Sequence, residues 1–549
     1  MSAYDHLDRD ALIRLLQRRD AERQLGLVWE RDVHSGGELE ADNALNDDFV
    51  ALNLDPALSH GDAPWRNLII EGDNYDALRA LRMSHKDKNN RIRCIYIDPP
   101  YNTGNRDFVY NDRFVDKTHR FRHSLWLEFM YRRLTLAKEL LADDGVIFVS
   151  IDDNEVFRLG MLMDRVFGEA NLIQTLIWKK SYGGGAKTKH VVGLHEYVLC
   201  FAKNKDLVDR IELPPDPKVL KYYKFRDEMF ELRGPYRLQP LATKSMDTRE
   251  NLRYSIPYQG EEIWPEKQWQ WARERVMRAL EKNELSFFRK GNAWTVNYKQ
   301  YLRDENGVER GSKPYSILDG PFTQEGTSEI RELFGDGKTF SFPKPAGLVA
   351  QLISYMPKDT VVLDFFAGSG TTAQAVAKLN AEDGGDRRFI LVSSTEATDD
   401  QPDKNLCRDV CAERVRRVLG GYTNAKGEAV AGLGGGFAYL RARRIPRHRL
   451  SLKLDHAEVW SALQLLHARP LSPWPGGGFA ADGDVAYLAD FREASVARLR
   501  GWLAAAPADI AKTLYSWAPD RLRAWASLPA PQIRLLPIPQ HLRDRFGRG

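Results

Sequence analysis

Short apolar runs alternate along much of this chain with stretches whose apolar residues recur at helical spacing. In the first half they predict strands at residues 67–71, 93–98 and 146–151 and helices at residues 75–83 and 125–141. The alternation returns downstream, with a strand at residues 361–366 and a helix at residues 372–379. Strands and helices that alternate in this way predict an α/β fold built on a parallel sheet.

Residues 206–338 interrupt this alternation and predict an inserted domain. A proline-rich break at residues 213–217 marks its start, and it holds four of the thirteen tryptophans among interleaved lysines and arginines. Aromatic and basic side chains together suit the reading of a nucleic acid, by phosphate and base-edge contacts. An ordinary small domain with an aromatic core is the alternative. The candidate contacts are Lys244, Arg249, Arg253, Arg273 and Arg310.

The two ends of the chain predict smaller units. Residues 1–60 are interpreted as an N-terminal helical arm, with an amphipathic helix at residues 10–25 and a polar loop at residues 42–56. Residues 451–549 predict a small α/β domain with parallel strands near residues 485–491, 513–517 and 533–537. It offers no identifiable chemistry, and a docking surface for a partner or a second copy is the hypothesis for it.

Composition narrows the class of protein. A chain of 549 residues is too long for one core, and its 43% apolar content suits a globular fold of two or three domains. No run approaches the roughly 18 apolar residues of a membrane span, and the charged start predicts no signal peptide. Among the four cysteines, Cys407 and Cys411 share a helix face without a further ligand at zinc spacing, which favours core cysteines. We therefore expect a cytoplasmic protein without a metal. The formal charge of +4 permits DNA binding.

The loop after the second predicted strand carries candidate chemistry. Asp98-Pro99-Pro100-Tyr101 follows an apolar run, and active sites of open α/β sheets lie beyond the carboxyl ends of such strands. The two prolines fix the backbone and leave carbonyls free to accept hydrogen bonds. An acid before them and an aromatic ring after them suit a planar base that carries an amino group. A proline-rich turn with a surface tyrosine is the structural alternative.

A glycine-rich loop follows the strand at residues 361–366. Residues 367–372 have the sequence Ala-Gly-Ser-Gly-Thr-Thr and lead directly into a predicted helix. Strand, glycine turn and helix form the arrangement in which backbone approaches a nucleotide-like ligand closely. The loop lacks the Gly-Lys-Ser/Thr ending of a P-loop, which argues against ATP, whereas a dinucleotide remains an alternative ligand.

In this order the two motifs resemble those of the amino-methyltransferases that use S-adenosylmethionine (SAM), in the permuted beta class. Residues 69–74, 176–180, 195–201 and 342–345 add to the resemblance, which covers roughly residues 65–205 and 340–445. The long insert between the motifs and the closing residues 434–440 are most similar to the Mod (methylating) subunit of Type III restriction-modification systems.

The resemblance implies a Rossmann-like SAM-dependent methyltransferase sheet, circularly permuted, with a catalytic half at residues 61–205. A target-recognition insert would occupy residues 206–338, the SAM-binding half residues 339–450, and a small C-terminal α/β unit residues 451–549. Asp98 and the Pro99 carbonyl would accept the amino hydrogens of a flipped base, with Pro100 completing the loop and Tyr101 stacking on the base. The residues expected around SAM are Asp73 at its adenine, Lys344 at its carboxylate, and Asp364, Phe366, Gly368, Gly370 and Thr371 near its methionine part.

One position departs from the general pattern. Related enzymes place an acid that binds the ribose hydroxyls at the end of the strand after the glycine loop, where this chain has Ser393, with Glu396 three residues on. The Type III-like group also tends to lack that acid, so the departure fits the subgroup and leaves the ribose contact open.

The four residues from Asp98 to Tyr101 are called the tetrad below. The resemblance implies a site-specific DNA methyltransferase that acts on N6 of adenine, because Asp begins and Tyr ends this tetrad. N4 of cytosine, a catalytically silent SAM-binding specificity subunit, and methylation of RNA or of a protein amide are the alternatives. The implied partners are double-stranded DNA, a separate helicase–nuclease restriction subunit, since the chain shows no such motif, and a second copy in a homodimer.

Overall fold

A computed structural model gives the fold of the chain. It describes residues 8–9, 13, 27, 29, 48–84, 91–104, 109–110, 113–114, 122–184, 188–213, 215, 217–244, 247–291, 293–337, 339–397, 401–449, 453–505, 511–525 and 533–547. The chain divides into two compact units, one of residues 1–209 and 315–549 and one of residues 210–314. No helix in the described ranges is long and apolar enough to cross a membrane. Nor do those ranges hold a group of three or more His, Cys, Asp or Glu side chains suited to a metal ion.

The strands and helices are numbered here in chain order. The strands are β1 Phe49–His60, β2 Asn67–Glu71, β3 Ile92–Ile97, β4 Val109–Tyr110, β5 Arg113–Phe114, β6 Leu141–Ile151, β7 Leu172–Lys179, β8 His195–Ala202, β9 Tyr236–Pro240, β10 Ala242–Thr243, β11 Ile256–Tyr258, β12 Glu261–Ile263, β13 Gln268–Trp269, β14 Leu285–Lys290, β15 Ala293–Tyr301, β16 Ile317–Asp319, β17 Val361–Asp364, β18 Arg388–Ser393, β19 Gly421–Thr423, β20 Ala429–Ala431, β21 Phe437–Ile445, β22 Phe479–Asp482, β23 Val485–Leu488, β24 Lys512–Ser516 and β25 Ile533–Pro537. The helices are α1 Asn74–Ser84, α2 Arg122–Leu140, α3 Val156–Phe167, α4 Pro217–Leu220, α5 Phe230–Arg233, α6 Arg273–Glu281, α7 Thr323–Phe334, α8 Ala346–Ile353, α9 Thr371–Asp383, α10 Glu413–Gly420, α11 His456–Leu466, α12 Glu493–Ala505, α13 Pro519–Trp525 and α14 Gln540–Arg545.

A ten-stranded sheet organises the first unit, in the order β1-β21-β2-β18-β17-β3-β6-β8-β7-β16. Its centre, from β21 to β6, is parallel, and β8 joins β6 antiparallel. The consecutive residues Cys94 and Ile95 of β3 point to opposite faces of the sheet and are both fully buried, so both faces are covered. The predicted α/β fold is confirmed, and its central strands lie where the apolar runs placed them.

The N-terminal boundary differs from the prediction. Residues 42–56 were expected to form a loop of an arm, but β1 begins at Phe49 and pairs with β21 at the edge of the sheet. A strand at an edge needs only one partner and can be partly polar, which explains why its sequence resembles a loop. The predicted helix at residues 10–25 lies almost entirely outside the described residues.

The insert is shorter than predicted. The compact unit covers residues 210–314, whereas the sequence suggested residues 206–338. The difference arises because β16 pairs in parallel with β7 and so belongs to the large sheet. A strand of three residues is too short to give an apolar signal.

Within the insert, β14, β15 and β9 form an antiparallel sheet, with two further strand pairs beside it. Trp269 is buried at its core together with Val276 and Val296, so the unit does have a partly aromatic core. Trp264 is 63% exposed, and the five predicted basic contacts are all exposed.

The C-terminal residues build a separate four-stranded sheet in the order β22-β23-β24-β25. β23, β24 and β25 are parallel, as the sequence predicted, with α12 and α13 between them. These residues nevertheless belong to the first compact unit rather than to a unit of their own, and α11 packs against β1 and α1.

Candidate active site

Parallel pairing brings both sequence motifs to one edge of the large sheet. β3 and β17 are adjacent, with Val362 opposite Cys94, so the loops that begin at Asp98 and Phe365 leave the sheet side by side. β18 and β2 follow in the order, and the carboxyl ends of all these strands share that edge. Open α/β sheets bind ligands in such a crevice.

The loop after β3 is held by contacts that the tetrad alone does not reveal. Trp126 of α2 donates a hydrogen bond of 2.7 Å from its indole to the Pro100 carbonyl. Within the described residues nothing donates to the Pro99 carbonyl, which leaves it available as an acceptor. The two successive carbonyls therefore have different tasks, one structural and one open to a ligand.

Asn102, directly after the tetrad, anchors the far side of this loop. It is fully buried, has a φ of +55°, and donates from its amide to Glu155 at 2.5 Å. Glu155, at the start of α3, is itself fully buried and also contacts His123. Asparagine adopts this backbone region more readily than most other residues, and the buried hydrogen bond to Glu155 holds the turn after Tyr101 in place.

A chain of charged side chains surrounds the tetrad. The Lys344 ammonium donates to both carboxylate oxygens of Asp98, at 2.8 and 3.0 Å, and to the Tyr101 hydroxyl at 2.8 Å. The Tyr101 hydroxyl donates to Glu196 at 2.9 Å, and Lys180 pairs with the other Glu196 oxygen at 2.9 Å. The sequence predicted that Lys344 contacts the SAM carboxylate, whereas in the structure it contacts Asp98 and Tyr101. The contact with SAM stays a prediction.

Burial and charge shift the ionisation of this group. Burial raises the pKa of Asp98 even though Lys344 opposes it, and the Asp98 carboxylate is still 27% exposed. Burial works against the Lys344 ammonium, but Asp98 and Glu196 together raise its pKa. Burial also raises the pKa of Glu196, but Lys344 and Lys180 outweigh it and bring that pKa below its usual value. Lys344 therefore stays cationic between two acids, and Asp98 is a stronger base than an exposed carboxylate.

The glycine loop after β17 is shaped by backbone geometry. Gly368 has a φ of +49° and Gly370 a φ of +82°, a region that other residues rarely adopt. A β-carbon on Gly368 would lie 3.2 Å from the Phe340 ring, and one on Gly370 would lie 3.1 Å from the Cys411 carbonyl. Both positions are therefore restricted to glycine by space as well as by torsion angle.

The acid at the head of this loop is Asp364. It accepts hydrogen bonds from the Thr372 hydroxyl at 2.5 Å and from the Phe366 backbone N–H at 3.0 Å. Burial raises its pKa to about 7, although these two hydrogen bonds favour the carboxylate. An amine or ammonium group of a ligand would relieve this penalty by pairing with the carboxylate.

Arg414, which the sequence analysis did not identify, holds the glycine loop through hydrogen bonds. Its fully buried guanidinium donates to the hydroxyls of Ser369 and Thr371, both at 2.8 Å, and pairs with Glu329 at 3.1 Å. The Thr371 hydroxyl, predicted to lie near SAM, is thus engaged by Arg414. The arginine ties the loop to α7 and α10, two helices that are distant in sequence.

The remaining predicted residues lie on the same edge. Asp73 caps α1 through the backbone N–H of Tyr75 and pairs with Arg133 at 3.1 Å. Phe366 packs beside Phe129 of α2, with 5.9 Å between ring centroids. Ser393 stands at the expected acid position, and its hydroxyl donates to the Gly368 carbonyl at 3.2 Å. The serine therefore braces the glycine loop, and Glu396 pairs with Lys404.

The large sheet brings the Asp-Pro-Pro-Tyr loop and the glycine loop to one end, which is the arrangement that the sequence predicted for a SAM-dependent methyltransferase. Residues 92–396 match the model of a family described as DNA methylase, which spans N6 and N4 enzymes. This match covers more than half of the chain, and the chain belongs to that family. It confirms the predicted family and, with it, SAM as the cofactor.

Curated relatives point to the predicted subgroup. The chain is similar to the Type III restriction-modification enzyme StyLTI Mod subunit of Salmonella typhimurium, with 35% identity over 64% of this chain and 57% of that protein. It is also similar to the EcoPI Mod subunit of Escherichia phage P1, with 34% identity over 60% and 58%. The Type II methyltransferase M.KpnI of Klebsiella pneumoniae is 33% identical over 59% and 80%. The predicted resemblance to Mod subunits is confirmed, and the match spans less than two thirds of the two Mod subunits.

Solved structures match part of the chain. The M1.HpyAVI–SAM complex has 13% identity and a TM-score of 0.29, covering 64% of this chain and 97% of that one. The cytosine-N4-specific PvuII DNA methyltransferase has 12% identity and a TM-score of 0.33, covering 67% and 97%.

Several residues of the site escaped sequence reasoning. Trp126, Glu155, Glu196 and Arg414 each make a contact with a motif that is distant in sequence. For Glu196 a signal was present, since it interrupts the apolar run of β8 near its start. Trp126 and Arg414 lie within helices and Glu155 lies directly before one, and nothing in the sequence marks these three.

Proposed function

We propose that the chain transfers the methyl group of SAM to N6 of an adenine flipped out of duplex DNA, as the modification subunit of a Type III-like restriction-modification system. The observation that carries this proposal is the pair of acceptors at the end of β3, the Asp98 carboxylate and the Pro99 carbonyl, beside the glycine loop of β17. Two acceptors at one point suit the two hydrogens of an exocyclic amine. The Mod subunits among the relatives support the biological setting.

The described residues fit SAM. The buried Asp364 carboxylate, with a pKa raised by burial to about 7, offers a partner for the ammonium of the methionine part. The positive φ angles of Gly368 and Gly370 leave no side chain between the backbone and a ligand. Asp73 lies on the same edge for the adenine end. When bound, SAM supplies a methyl group that its sulfonium activates, and the carbon–sulfur bond breaks as the nitrogen–carbon bond forms.

The protein's own part is to orient the amine. Its lone pair is delocalised into the ring, and acceptors for both hydrogens favour the tetrahedral nitrogen whose lone pair points away from the ring plane. Asp98 accepts a hydrogen bond from one amine hydrogen and gives up one of its contacts with Lys344. The Pro99 carbonyl accepts a hydrogen bond from the other amine hydrogen. Lys344 keeps Asp98 ionised until then. The methylated nitrogen carries an extra proton, and Asp98, with its raised pKa, is the base that receives it.

The Tyr101 ring supplies a flat surface for the extruded base. Its hydroxyl is fixed between Lys344 and Glu196, so the ring has one orientation. A fixed ring lowers the ordering cost when the base arrives.

Adenine is favoured over cytosine because the tetrad begins with Asp and ends with Tyr. M.KpnI and the Mod subunits are named without a base, and N4 of cytosine is therefore the second candidate. Double-stranded DNA is the proposed substrate, and the exposed Lys244, Arg249 and Arg253 of the insert suit its phosphates. A separate restriction subunit and a second copy of the chain are the proposed protein partners.

The test is transfer of a labelled methyl group from SAM to amplified, unmethylated genomic DNA, followed by nucleoside analysis. We expect N6-methyladenine in the product of the wild-type chain. N4-methylcytosine would replace the base assignment, and label on RNA or protein but not on DNA would overturn the substrate. SAM binding without any transfer, tested again with the restriction subunit present, would favour a silent specificity subunit.

A further inference from the structure

The segment between the glycine loop and the catalytic acid carries an exposed aromatic ring with no task in the site as described. Phe342 is 86% exposed, more than any other phenylalanine in the described ranges, and has a φ of +57°. A bulky side chain rarely occupies that backbone region, and an exposed ring of this size gains nothing from water.

The location of Phe342 follows from its two neighbours in the chain. The Phe340 ring lies over Gly368 of the cofactor loop, at 3.2 Å from the position of a β-carbon there. The Lys344 ammonium, two residues on, contacts Asp98 and Tyr101. In the chain, Phe342 therefore lies between a residue that contacts the glycine loop and one that contacts Asp98.

The backbone around Phe342 is firmly held. Pro343 and Pro345 fix two φ angles, and a side chain on Gly326 of α7 would collide with the Pro343 carbonyl, so helix and segment are in close contact. Glu329 of the same helix accepts the Ala346 N–H at 3.1 Å. Unusual backbone angles persist where the surroundings impose them, and such positions concentrate at functional sites.

We propose that Phe342 stacks on a nucleobase of the DNA at the mouth of the catalytic pocket and holds the duplex while the target base is out of the stack. Every base offers a flat face to an aromatic ring, and proteins that kink or open DNA use apolar wedges in this way. The Phe340 ring already lies beside Gly368 of the cofactor loop. The Phe342 ring is exposed and therefore available to contact the DNA. This inference rests on the proposed function, since it needs a DNA substrate.

The test compares Phe342→Ala, Phe342→Gly and Phe342→Trp in the full chain. Binding to amplified genomic DNA and the KM for that DNA are measured, with SAM affinity measured separately without DNA. We expect Phe342→Ala and Phe342→Gly to weaken DNA binding about 5- to 150-fold, the range that corresponds to base–aromatic stacking energies. Phe342→Trp should bind DNA as the wild type does. SAM affinity should not change.

Two controls separate the ring from folding. Gly accepts a φ of +57° better than Phe, so Phe342→Gly should unfold no earlier than the wild type on heating. Leu207→Ala removes another exposed apolar side chain, which follows β8 and is 53% exposed. Because β8 runs antiparallel to β6, Leu207 lies at the end of the sheet opposite to the carboxyl ends of the parallel strands. It should bind and methylate DNA as the wild type does.

The outcomes distinguish this inference from the proposed function. Equal DNA binding by wild type and Phe342→Ala, in a wild type that methylates DNA, overturns only the role of Phe342. Weaker SAM binding without DNA would assign the ring to the cofactor instead, and a lower mass in sedimentation would assign it to contact with a second copy; either result overturns the inference. A wild type that binds no DNA overturns both.

Discussion

The neighbouring strands β3 and β17 end in loops that are held in opposite ways. The loop of β3 is stiffened by prolines and carries its chemistry on charged side chains, with Lys344 and Glu196 around Asp98 and Tyr101. The loop of β17 is shaped by glycines, and its buried acid is balanced by hydrogen bonds alone. Under the proposed function, the β3 loop suits a neutral base whose amine gains a charge, and the β17 loop suits a ligand that brings its own charge.

The difference has a physical reason. In a partly buried site a charge costs free energy unless a partner is present, and the β3 loop has that partner built in. The β17 loop has none for Asp364 among the residues described, and the proposed ammonium of SAM would complete it. The predictions below test the two loops separately, from the largest expected effect to the smallest.

Removal of the acceptor at β3 should have the largest effect. Asp98→Ala should lower kcat at least about 100-fold, because the amine loses the group that orients it and receives its proton. DNA binding and SAM binding should remain near wild type. Asp153→Ala, which removes an exposed acid after the neighbouring strand β6, is the matched control and should stay active. Retained transfer by Asp98→Ala would contradict the site assignment.

Obstruction of the β17 loop should act on the cofactor instead. Gly368→Trp fills the space beside Phe340 and should abolish SAM binding in calorimetry, whereas DNA is still bound. Gly384→Trp is the control: it has the same sign of φ, at +66°, but open space around it at the far end of α9. SAM affinity within a few-fold of wild type in Gly368→Trp would show that the cofactor lies elsewhere.

Loss of the support beneath the loop should weaken the fold. Arg414→Met leaves Glu329 with Lys378 at 3.6 Å as its remaining cation and removes the donor to Ser369 and Thr371, and we expect a loss of about 1.5–3 kcal/mol in the free energy of unfolding. Urea unfolding measures it. Arg416→Met, on the same helix but partly exposed and paired with Glu413, should cost less than about 1 kcal/mol. Equal losses in both variants would refute a special role for Arg414.

Neutralisation of Glu196 should move the pH profile rather than the maximum rate. The Glu196 charge raises the pKa of Asp98, so Glu196→Gln lowers that pKa. Asp98 then stays ionised to lower pH, and the acidic limb of the kcat–pH profile should shift downward. Glu139→Gln removes an exposed carboxylate on α2 and should leave the limb in place. A shift to higher pH would contradict the charge network.

The smallest expected effect is the release of a fraction of a proton from Asp364 when SAM binds. Asp364, with a pKa of about 7, is largely protonated at pH 6.5, and an ammonium beside it would lower that pKa. SAM binding should therefore release up to roughly three quarters of a proton at pH 6.5, and by about pH 8.5 the release should turn into uptake, because Asp364 is then ionised and the amino group of free SAM is largely neutral. Calorimetry in buffers of different ionisation enthalpy measures the release, which Asp364→Asn should remove. Proton uptake at pH 6.5 would be the wrong sign.

The sequence predicted the parts of the fold that have a local signal. Buried parallel strands such as β2 and β3 are continuous apolar runs, and proline and glycine mark the two loops directly. Edge strands escaped, since β1 is half polar and β16 is three residues long. Each is recognisable only through its partner, β21 or β7, far away in the chain.

The site shows the same limit. Asp98, Tyr101 and Asp364 were found because they belong to short motifs, and the structure places them on one edge. Glu155 and Arg414 were missed because their roles depend on a turn or loop that only the folded sheet brings within reach. For Lys344 the resemblance predicted a contact with SAM, which stays a prediction, whereas its contacts with Asp98 and Tyr101 had no signal in the sequence.

The pairing of Cys94 with Val362 has a consequence for how the protein can be made. During synthesis β3 leaves the ribosome long before β17 exists, and until then one side of the strand that bears the catalytic acid is an unpaired edge. Neither product of a cut within the insert would contain a complete sheet, because β17 and β18 fill the gap between β2 and β3. The complete ten-stranded sheet can therefore form only after β21 has been translated, or from two fragments that reassemble.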